Sequence, residues 1–397
     1  MSYLNKRTVR DIDVRNKRVL LRCDFNVPLD SKRNITDTRR IDEALKTINY
    51  LIDNNAKIII CSHLGNPKGE YKKEYSLKPV ADYLSGKLGK EVKLTSDVVG
   101  EDANKIVSGL ECGEVCMLEN LRFEPGETAN DEEFAKKLAS LGEVYVNDAF
   151  GTCHRAHAST VGVTKFLPSA YGFLIEKELT AISKLLDNPE HPFVAILGGA
   201  KVSDKIEMIG NLLEQVDVLM VGGGMSYTFM NALGYPVGES ICESDKISFA
   251  KDMMAKAKER GVKFLLPLDL RVGKEYKSDT EYKCVDADKI PEGWMGLDIG
   301  SKTIELFREA ILEAKTIFWN GPMGVFEWES FIGGTLEVAK AVAESGAVSV
   351  IGGGDSAAAI QKLGLGDKMT HVATGGGATL EFLSGKSLPA LEAIDDK

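Results

Sequence analysis

The chain has 397 residues, a net charge of −10 at pH 7, and a composition that is 44% hydrophobic and 27% charged. This length favours two domains, and the composition is typical of soluble globular proteins. The acidic balance excludes a general attraction to nucleic acid or to anionic membranes, so an anionic ligand requires a local cluster of basic residues.

The first half of the chain alternates short apolar runs with longer segments of helical periodicity. The apolar runs are continuous, as is typical of central parallel strands. We predict strands at residues 17–26, 56–63, 114–123 and 143–151. Residues 39–55 and 131–142 are predicted helices, and the second of these begins with acidic residues and ends near Gly142, as helices commonly do.

The second half of the chain repeats this alternation. We predict strands at residues 193–199, 216–224, 263–268, 316–322, 348–354 and 371–377. Residues 171–192 are predicted to form one helix that ends at Asn188-Pro189 and joins the two halves. The fold class is therefore α/β, with two doubly wound, Rossmann-like parallel sheets, one in residues 1–170 and one in residues 171–385.

The predicted strand ends carry different residues in the two halves. Open α/β sheets bind ligands at the carboxyl ends of their strands. In the first half these ends carry cationic and polar side chains, namely Arg22, Asp24, Asn26, His63, Arg122 and Asp148. In the second half they carry glycine runs at residues 198–199, 222–224, 352–354 and 375–377. One domain is thus expected to present cations to its ligand, and the other to present bare backbone.

The glycine runs predict a site for a nucleotide or another polyphosphate, because glycine lets backbone N–H groups approach phosphate at a helix N-terminus. A Walker A loop is excluded, since "LSGKS" has Leu380 where the first glycine is required. The segment "GGGDSA" (352–357) fits a dinucleotide-binding pattern, but the next strand ends at Thr374 rather than at an acidic residue. An NAD(P)-dependent dehydrogenase therefore stays open as an alternative.

Four polar residues near the glycine runs are candidate nucleotide ligands. Lys201 and Lys205 are spaced one helical turn apart, so two ammonium groups on one helix face are expected to reach one triphosphate. Asp355 is a candidate Mg²⁺ ligand, and Glu327 is a candidate acceptor for a ribose hydroxyl. The alternatives are a solvated lysine pair and a surface glutamate.

The segment "NDAFGTCHRAHAST" (147–160) allows two interpretations. Asp148, Cys153, His154 and His157 have the residue types of a metal site. The segment also follows a strand of the cationic half, where Arg155 would grip a phosphate with two parallel hydrogen bonds. We favour the second interpretation, with His154 and His157 as flanking donors whose charge depends on pH.

Eight segments spread over almost the whole chain carry a resemblance to one enzyme family. They are "LLRCDFNVP" (20–28), "SHLGNP" (62–67), "ENLRF" (119–123), "VNDAFGTCHRAH" (146–157), "LGGAKVSDK" (197–205), "WNGPMGVFE" (319–327), "GGGDSA" (352–357) and "TGGGA" (374–378). In this order they resemble the phosphoglycerate kinases. The resemblance implies two domains that face each other across a cleft, and a C-terminal return (386–397) that packs on the N-terminal domain.

The resemblance implies a glycolytic and gluconeogenic phosphotransferase. It would move a phosphoryl group reversibly between 1,3-bisphosphoglycerate and ADP, giving 3-phosphoglycerate and ATP, with Mg²⁺ held by Asp355. The site for the triose acid would consist of Asp24, Asn26, Arg40, His63, Arg122 and Arg155. The nucleotide site would consist of Gly198, Gly199, Lys201, Lys205, Gly222, Gly223, Gly296, Asn320, Glu327, Gly353, Gly354, Asp355 and Ser356.

At two positions the match to the family pattern is ambiguous or differs. Arg40 takes the family's place in an Arg-Ile pair after Ile35-Thr36, although the neighbouring Arg39 is a competing choice. Asn66 stands where the family usually has arginine, which removes one positive charge at the rim of the basic patch. The activity is still expected, because the inner arginines are present.

The expected chemistry explains why no segment resembles a kinase catalytic loop. A carboxylate acceptor is already ionised at pH 7, so no base has to remove a proton. Catalysis would rest on alignment and on neutralising the phosphoryl group in flight, which we assign to Arg40, Lys201 and the N–H groups around Gly354 and Gly377. Closure of the two domains, with a hinge near 171–192 and 380–390, would exclude water.

The remaining expectations concern partners and location. We expect small-molecule substrates, no nucleic acid, no membrane and a monomer. Seven cysteines, an odd number and mostly far apart, favour the reducing cytoplasm over a secreted, disulfide-bonded protein. A non-catalytic nucleotide-binding or adhesion protein of the same fold is a further alternative, although two separate sets of cations argue against it.

Overall fold

The computed structural model describes residues 3–397, which divide into two compact units. The first unit comprises the chain up to Thr180 together with Ser387–Lys397, and the second comprises Ala181–Lys386. Each unit is built on its own six-stranded sheet in which all neighbouring strands are parallel. The predicted fold class of two parallel-sheet α/β domains is therefore confirmed.

The first unit has six strands and the helices that follow them. The strands are β1 (Arg18–Arg22), β2 (Lys57–Cys61), β3 (Val92–Leu94), β4 (Val115–Met117), β5 (Val144–Asn147) and β6 (Ser169–Tyr171). Their order in the sheet is β3-β4-β2-β1-β5-β6. The helices are α1 (Arg39–Asp53), α2 (Lys78–Leu88), α3 (Glu101–Ser108), α4 (Pro125–Thr128), α5 (Glu132–Ser140) and α6 (Phe173–Leu186).

The core of this unit explains why continuous apolar runs became its central strands. Helices cover both faces of a doubly wound sheet, so the side chains on both faces of each central strand are buried. Val19 and Leu21 of β1 pack with Ile58 and Ile60 of β2 and with residues of α1 in one cluster. At the start of α5, the Asp131 carboxylate accepts a hydrogen bond from the Phe134 N–H at 2.8 Å, which is the acidic cap that the sequence predicts.

The second unit contains nine strands in two sheets. The strands are β7 (Phe193–Leu197), β8 (Val218–Val221), β9 (Lys263–Leu265), β10 (Asp269–Gly273), β11 (Tyr282–Asp286), β12 (Met295–Ile299), β13 (Thr316–Asn320), β14 (Val348–Gly352) and β15 (His371–Val372). The parallel sheet has the order β15-β14-β13-β7-β8-β9. The helices from here to the C-terminus are α7 (Ile206–Leu212), α8 (Ser226–Ala232), α9 (Ile247–Glu259), α10 (Ser301–Glu313), α11 (Gly333–Ser345), α12 (Gly354–Lys362), α13 (Gly377–Leu383) and α14 (Pro389–Glu392).

Strands β10, β11 and β12 form a separate antiparallel sheet of order β11-β10-β12, which the sequence analysis does not predict. Tyr282, Lys283 and Cys284 of β11 are all exposed, so this edge strand lacks the apolar run that identified the others. The prediction that the second half consists of one parallel sheet is therefore incomplete. The antiparallel sheet matters below because β12 carries Gly296 and Leu297.

The connecting helix and the C-terminal segment determine where the units divide. Helix α6 lies within the predicted span 171–192, and the division falls inside it, between Thr180 and Ala181, rather than before it at 170. Ser387–Lys397 belongs to the first unit, where the Arg7 N–H donates to the Asp395 carbonyl at 2.9 Å. In the same region, the Leu388 N–H donates to the Tyr3 hydroxyl at 2.8 Å.

Candidate active site

The carboxyl end of β1 places an ion pair at the ligand edge of the first unit. The Asp24 carboxylate accepts a hydrogen bond from the Arg40 guanidinium at 2.9 Å, and Arg40 lies at the start of α1. Burial alone would raise the pKa of Asp24, but Arg40 and the nearby Arg22 lower it below its ordinary value. Asp24 is therefore ionised, and it orients Arg40.

The two adjacent arginines of α1 have different partners. Arg39 donates to both carboxylate oxygens of Asp37, with Nε at 3.0 Å from Oδ2. It lines a surface cavity of about 480 Å³ together with Lys46 and Lys177. Arg40, one residue on, reaches Asp24 instead. The structure thus places Arg40, and not Arg39, beside the other predicted residues of this edge.

His63, at the carboxyl end of β2, is buried and uncharged. Its Nδ1 lies 3.3 Å from a guanidinium nitrogen of Arg22. Burial lowers the pKa of His63 well below its ordinary value, and the charges of Arg22, Arg122 and Arg40 add to this effect against the opposing charge of Asp24. His63 is thus a neutral member of a cationic cluster.

Asn26 and Arg122 meet at Gly65 in the loop after β2. The Gly65 N–H donates to Asn26 Oδ1 at 2.9 Å, and Arg122 donates to the Gly65 carbonyl at 2.7 Å. Within residues 3–397, Nε of Arg122 is buried and has no hydrogen-bond partner. Burial lowers the pKa of Arg122, and the charges of Arg155 and Arg22 lower it further, so these like charges lie close together. Asn66 is exposed beside this loop.

The segment 147–160 does not gather a metal site. Asp148 Oδ1 accepts from the N–H groups of Leu174 and Ile175 at 2.9 and 3.2 Å, at the start of α6, whereas the Cys153 thiol donates to the Ala149 carbonyl at 3.4 Å. In the part of the chain that the structure describes, no group of three or more His, Cys, Asp or Glu side chains is placed to hold a metal ion.

Arg155 is the exposed cation of the segment, with His154 bonded to it and His157 buried. Nε of Arg155 donates to Nε2 of His154 at 3.1 Å. Burial and the charges of Arg22, Arg122 and Arg155 lower the pKa of His157 to about 4. His157 is therefore neutral at pH 7, because it is buried among arginines, and its charge changes with pH only in the acidic range.

The second unit contains a cavity of about 190 Å³ at the carboxyl ends of its strands. Its apolar walls come from Ile241, Leu297, Met323, Val325 and Phe326. Glycines 199, 223, 224, 296 and 324 line it as well, and Tyr276, Glu239, Glu327 and Asp355 supply polar groups. A narrow apolar slot with polar groups around it suits a planar heterocycle with hydroxyl and phosphate groups attached.

The first two glycine runs serve to pack three loops together. A Cβ at Gly198 would overlap the carbonyl oxygens of Pro322 and Gly321, and one at Gly223 would lie 2.7 Å from the Gly199 nitrogen. The N–H groups of Gly198, Gly199, Gly222 and Gly223 already donate to backbone carbonyls at 2.8 to 3.1 Å. The close packing of the loops therefore uses these four donors, while Gly199 and Gly223 still line the cavity.

The third and fourth glycine runs precede helices α12 and α13. Gly353 has φ +90°, and a Cβ there would meet the Asn320 amide nitrogen at 2.5 Å. The N–H groups of Gly354, Asp355 and Ser356 lie in the first turn of α12, where a helix offers no internal acceptor. The Ser356 hydroxyl accepts from the Gly321 N–H at 2.5 Å, and Gly377 is exposed at the start of α13.

Lys201 and Lys205 do not share a helix face, contrary to the prediction. Helix α7 begins only at Ile206, and a 3₁₀ turn (Ser203–Lys205) precedes it. The Glu243 carboxylate accepts from the N–H groups of Val202 and Ser203 at 2.6 and 3.1 Å, which fixes the turn. Lys201 is consequently exposed before the turn, whereas Lys205 points inward.

The ammonium group of Lys205 is held by Asn320 at the end of β13. It donates to the carbonyl oxygen of Asn320 at 3.3 Å and also to the side-chain Oδ1. The side-chain amide of Asn320 donates in turn to the Gly352 carbonyl at 2.8 Å, just before the third glycine run. Burial lowers the pKa of Lys205 to about 8, although Asp204 and Asp355 act in the opposite direction. Lys205 is therefore a poorly solvated cation that gains from an anionic ligand.

Two further predicted residues stand at the cavity. Gly296 is required because a Cβ there would overlap the Tyr227 hydroxyl. Glu327 is exposed at the rim, and its carbonyl accepts from Lys362 at 3.0 Å.

The surroundings of Asp355 fit Mg²⁺. Asp355 offers one exposed carboxylate beside the first turn of α12. Mg²⁺ is usually bound through one or two carboxylates together with water and phosphate.

Sequence reasoning missed two groups of residues. One is the buried pair of Ser159 and Glu127 behind Arg22, which gives no signal because these residues are far from Arg22 in sequence. The other is the apolar lining of the cavity, such as Leu297 and Met323, which looks like ordinary core in the sequence.

No helix among the described residues is long and apolar enough to cross a membrane.

Comparison with known proteins identifies the family. A sequence model of the phosphoglycerate kinases matches residues 9–386. The chain is similar to the phosphoglycerate kinase of Clostridium perfringens (strain ATCC 13124), with 59% identity over 396 residues that cover 99% of both chains. It is similar to that of Clostridium botulinum (strain Loch Maree), with 56% identity over 400 residues and 100% of both chains.

Solved structures agree with these sequence matches. A phosphoglycerate kinase from Coxiella burnetii matches with a TM-score of 0.88 and 42% identity, over 98% of each chain. A phosphoglycerate kinase from Pyrococcus horikoshii OT3 matches with a TM-score of 0.83 and 36% identity, over 97% of this chain and 98% of that one. On its fold, its two ligand edges and these matches, the chain belongs to the phosphoglycerate kinase family.

Proposed function

We propose that the cationic edge of the first unit binds the triose acid and that the cavity of the second unit binds the nucleotide. The reaction is that of the family, the reversible transfer of a phosphoryl group between 1,3-bisphosphoglycerate and ADP, which gives 3-phosphoglycerate and ATP. The observation that carries the assignment is the convergence of Arg22, Arg40, Arg122 and Arg155, with Nε of Arg122 buried and without a partner among residues 3–397. Such a cluster is relieved by a polyanionic substrate.

The roles on the first unit follow from the contacts. Arg122 and Arg155 hold the phosphate of the triose acid, since their like charges destabilise each other until an anion binds. Asn26 fixes the Gly65 loop on which Arg122 rests. Asp24 is committed to Arg40, so its role is to aim that guanidinium rather than to accept a proton. His63 supplies a neutral donor.

Transfer to a carboxylate needs charge stabilisation rather than a base. We assign Arg40 and Lys201 to the equatorial oxygens of the phosphoryl group, with the N–H groups at the starts of α12 and α13, around Gly354 and Gly377. Lys205, with Asn320 behind it, holds the phosphates of the nucleotide. Asp355 would hold Mg²⁺, which would neutralise part of the negative charge of the nucleotide. Glu327 stands where it can accept from a ribose hydroxyl.

The two ligand edges are on different units, so we propose that the units close before transfer. Closure aligns donor and acceptor and excludes water, which would otherwise hydrolyse the acyl phosphate. The hinge is expected near 171–192 and 380–390. We also propose a monomer that works in the cytoplasm, where reducing conditions keep its free cysteines as thiols.

The test is a coupled assay of ADP formation from ATP and 3-phosphoglycerate with Mg²⁺. Turnover that depends on both substrates is expected. Reduction of NAD(P) without phosphoryl transfer would instead favour the dehydrogenase suggested by "GGGDSA". Nucleotide binding without any turnover by well-folded protein would favour a non-catalytic role and would overturn the proposal.

A further inference from the structure

A buried arginine lies beneath the cationic edge and contacts the ligand edge only through another side chain. Arg22, at the end of β1, is 0% exposed. Its Nε donates to the Ser159 hydroxyl at 2.9 Å, and one terminal nitrogen donates to the Cys23 carbonyl. The other terminal nitrogen lies 3.3 Å from Nδ1 of His63. All three nitrogens of the guanidinium group are therefore committed.

Ser159 and Glu127 hold Arg22 from the opposite side. The Ser159 hydroxyl donates to Glu127 Oε1 at 2.6 Å, and its backbone N–H donates to Oε2 at 2.9 Å. Both residues are 0% exposed. The Tyr145 hydroxyl donates to the Ser159 carbonyl at 2.7 Å, which keeps this backbone in place. The four side chains thus form one buried series from Glu127 through Ser159 and Arg22 to His63.

The direction of each hydrogen bond in the series is forced by chemistry. Arginine has donors and no acceptor, and an ionised carboxylate has acceptors only. The Ser159 hydroxyl must therefore accept from Arg22 and donate to Glu127. At the other end, Nδ1 of His63 must accept from Arg22, so the proton of this neutral imidazole is carried by Nε2.

Asp24 carries a carboxylate that competes with Arg22 for Nδ1 of His63. A carboxylate close to Nδ1 would favour a proton on that nitrogen. The distance from Asp24 Oδ1 to Nδ1 is 4.0 Å, beyond hydrogen-bond range, and the other Asp24 oxygen is bonded to Arg40. Arg22 is the nearer partner and decides the tautomer.

We propose that Glu127, Ser159 and Arg22 are positioning residues that fix His63 in the tautomer with the proton on Nε2. The hydrogen bond that the structure gives the His63 ring among residues 3–397 is the one at Nδ1. In this tautomer His63 offers an N–H group to an anionic oxygen of the substrate. In the other tautomer it would offer a lone pair, which repels an anion. This inference rests on the proposed binding of the triose acid at this edge.

The tautomer is measurable without any ligand. Nitrogen-15 spectra of histidine-labelled protein distinguish a protonated ring nitrogen from an unprotonated one, and the His63→Asn variant assigns the signals among the five histidines. In the unmodified protein we expect Nε2 of His63 to be protonated and Nδ1 to be unprotonated. Protonation of Nδ1 instead would overturn the proposal without affecting the proposed function, which the enzyme assay tests separately.

The Ser159→Ala variant removes the link between Glu127 and Arg22. We expect the His63 signals to move towards a mixture of tautomers and KM for 3-phosphoglycerate to rise roughly three- to tenfold, the value of one hydrogen bond. KM for ATP should not change. A purely structural role would lower stability without moving the His63 signals.

Ser76→Ala is the matched control. The Ser76 hydroxyl donates to the Glu119 carboxylate at 2.7 Å, so the same buried hydroxyl–carboxylate bond is lost in the same unit, without contact to Arg22 or His63. We expect this variant to keep the His63 signals and KM for 3-phosphoglycerate of the unmodified protein. Equal effects of the two substitutions on both measurements would contradict the positioning role.

Discussion

Arg39 and Arg40 show how much one residue position decides at the ligand edge. They are neighbours in α1, where successive side chains point about 100° apart, so only one of them faces the end of β1. Arg40 contacts Asp24, whereas Arg39 contacts Asp37. The charge of Arg40 therefore lies at the proposed substrate edge, whereas the charge of Arg39 lies at the surface.

The pair provides its own control experiment. Arg40→Ala should lower kcat at least a hundredfold, because it removes a charge proposed to stabilise the transferring phosphoryl group. Arg39→Ala should leave kcat and both KM values within about twofold, since exposed ion pairs contribute little. Steady-state kinetics of both variants in the coupled assay provide the measurement, and the reverse order of effects would reassign the catalytic arginine.

We assign Arg155 to binding rather than to the transfer step. Arg155→Ala should raise KM for 3-phosphoglycerate by roughly ten- to a hundredfold, the value of a charged hydrogen bond. KM for ATP should stay the same, because the nucleotide cavity is lined only by residues of the second unit. A chelator should leave the segment 147–160 unaffected. Weaker ATP binding in this variant would contradict the assignment of Arg155 to the triose acid.

At the scale of elements, the glycine loops divide into two kinds that look alike in sequence. The loops after β7 and β8 need glycine because backbone packs against backbone. The loop after β14 needs glycine at residue 353, where φ is +90°, whereas Gly354 begins a helix with open space around it. Substitution by alanine should separate structural glycines from those that face a ligand.

Gly198→Ala and Gly354→Ala form a matched pair for this test. The first places a methyl group on the Pro322 carbonyl and should destabilise the protein by roughly 1–3 kcal/mol or more. The second meets nothing within 4 Å, so stability should change by less than about 0.5 kcal/mol while KM for ATP rises. Thermal unfolding and kinetics test both, and unchanged nucleotide KM in Gly354→Ala would argue against a phosphate contact there.

Asp298 is a buried carboxylate in β12, the strand that carries the cavity residues Gly296 and Leu297. Asp298 in β12 accepts from the Gly334 N–H, at the start of α11, and from the Ile299 N–H, at 2.8 and 2.9 Å. Burial raises the pKa of Asp298 to about 7, against the opposing effects of these two bonds and of Arg271. The folded state thus keeps a proton there that the unfolded state loses near pH 4.

This pKa gives a pH dependence with a definite sign. Because the folded pKa is raised, the stabilisation linked to Asp298 is complete below about pH 4 and is lost as pH rises towards about 7. The Asp298→Asn variant has no titrating group at this position. Its free energy of unfolding, relative to that of the unmodified protein, should therefore rise by a few kcal/mol from pH 4 to pH 8. Urea unfolding at several pH values measures this, and a constant difference would contradict the raised pKa.

Strands were predicted correctly where burial leaves a continuous apolar run in the sequence. Strands with continuous apolar runs, such as β1, β2, β7 and β13, were all located. The strand predicted at 371–377 contains only His371–Val372, since it is an edge strand that pairs with β14 alone. The strands β3 and β6 and the sheet of β10, β11 and β12 were missed, because polar or small residues interrupt their apolar runs, as in "VKL", "SAY" and "YKCVD".

At the scale of the whole molecule, the proposed function requires motion between two units. Each unit carries one ligand edge, and Ser387–Lys397 returns to the first unit, so two chain segments pass between the units. A double connection restricts relative motion to a small set of rotations, as the proposed hinge requires.

Solution scattering tests this closure. The radius of gyration should fall when both 3-phosphoglycerate and a nucleotide analogue are bound, and less when either is bound alone, since alignment needs both ligands. The same data give the molecular mass, for which we expect the 43.2 kDa of one chain. Identical scattering profiles with and without both ligands would contradict the hinge, and a doubled mass would contradict the monomer.

The amino-acid sequence alone predicted the α/β class, most central strands, the contrast between a cationic and a glycine-rich half, and the family. These properties are local, because burial leaves continuous apolar runs and ligand contact leaves characteristic residues at strand ends. The folded structure was needed to show which N–H donors are already bonded and that Lys205 points inward while Lys201 does not. It was also needed to show that Glu127, Ser159 and Arg22 lie behind His63. Hydrogen bonding and desolvation join residues that are far apart in the chain, so no spacing in the sequence records them.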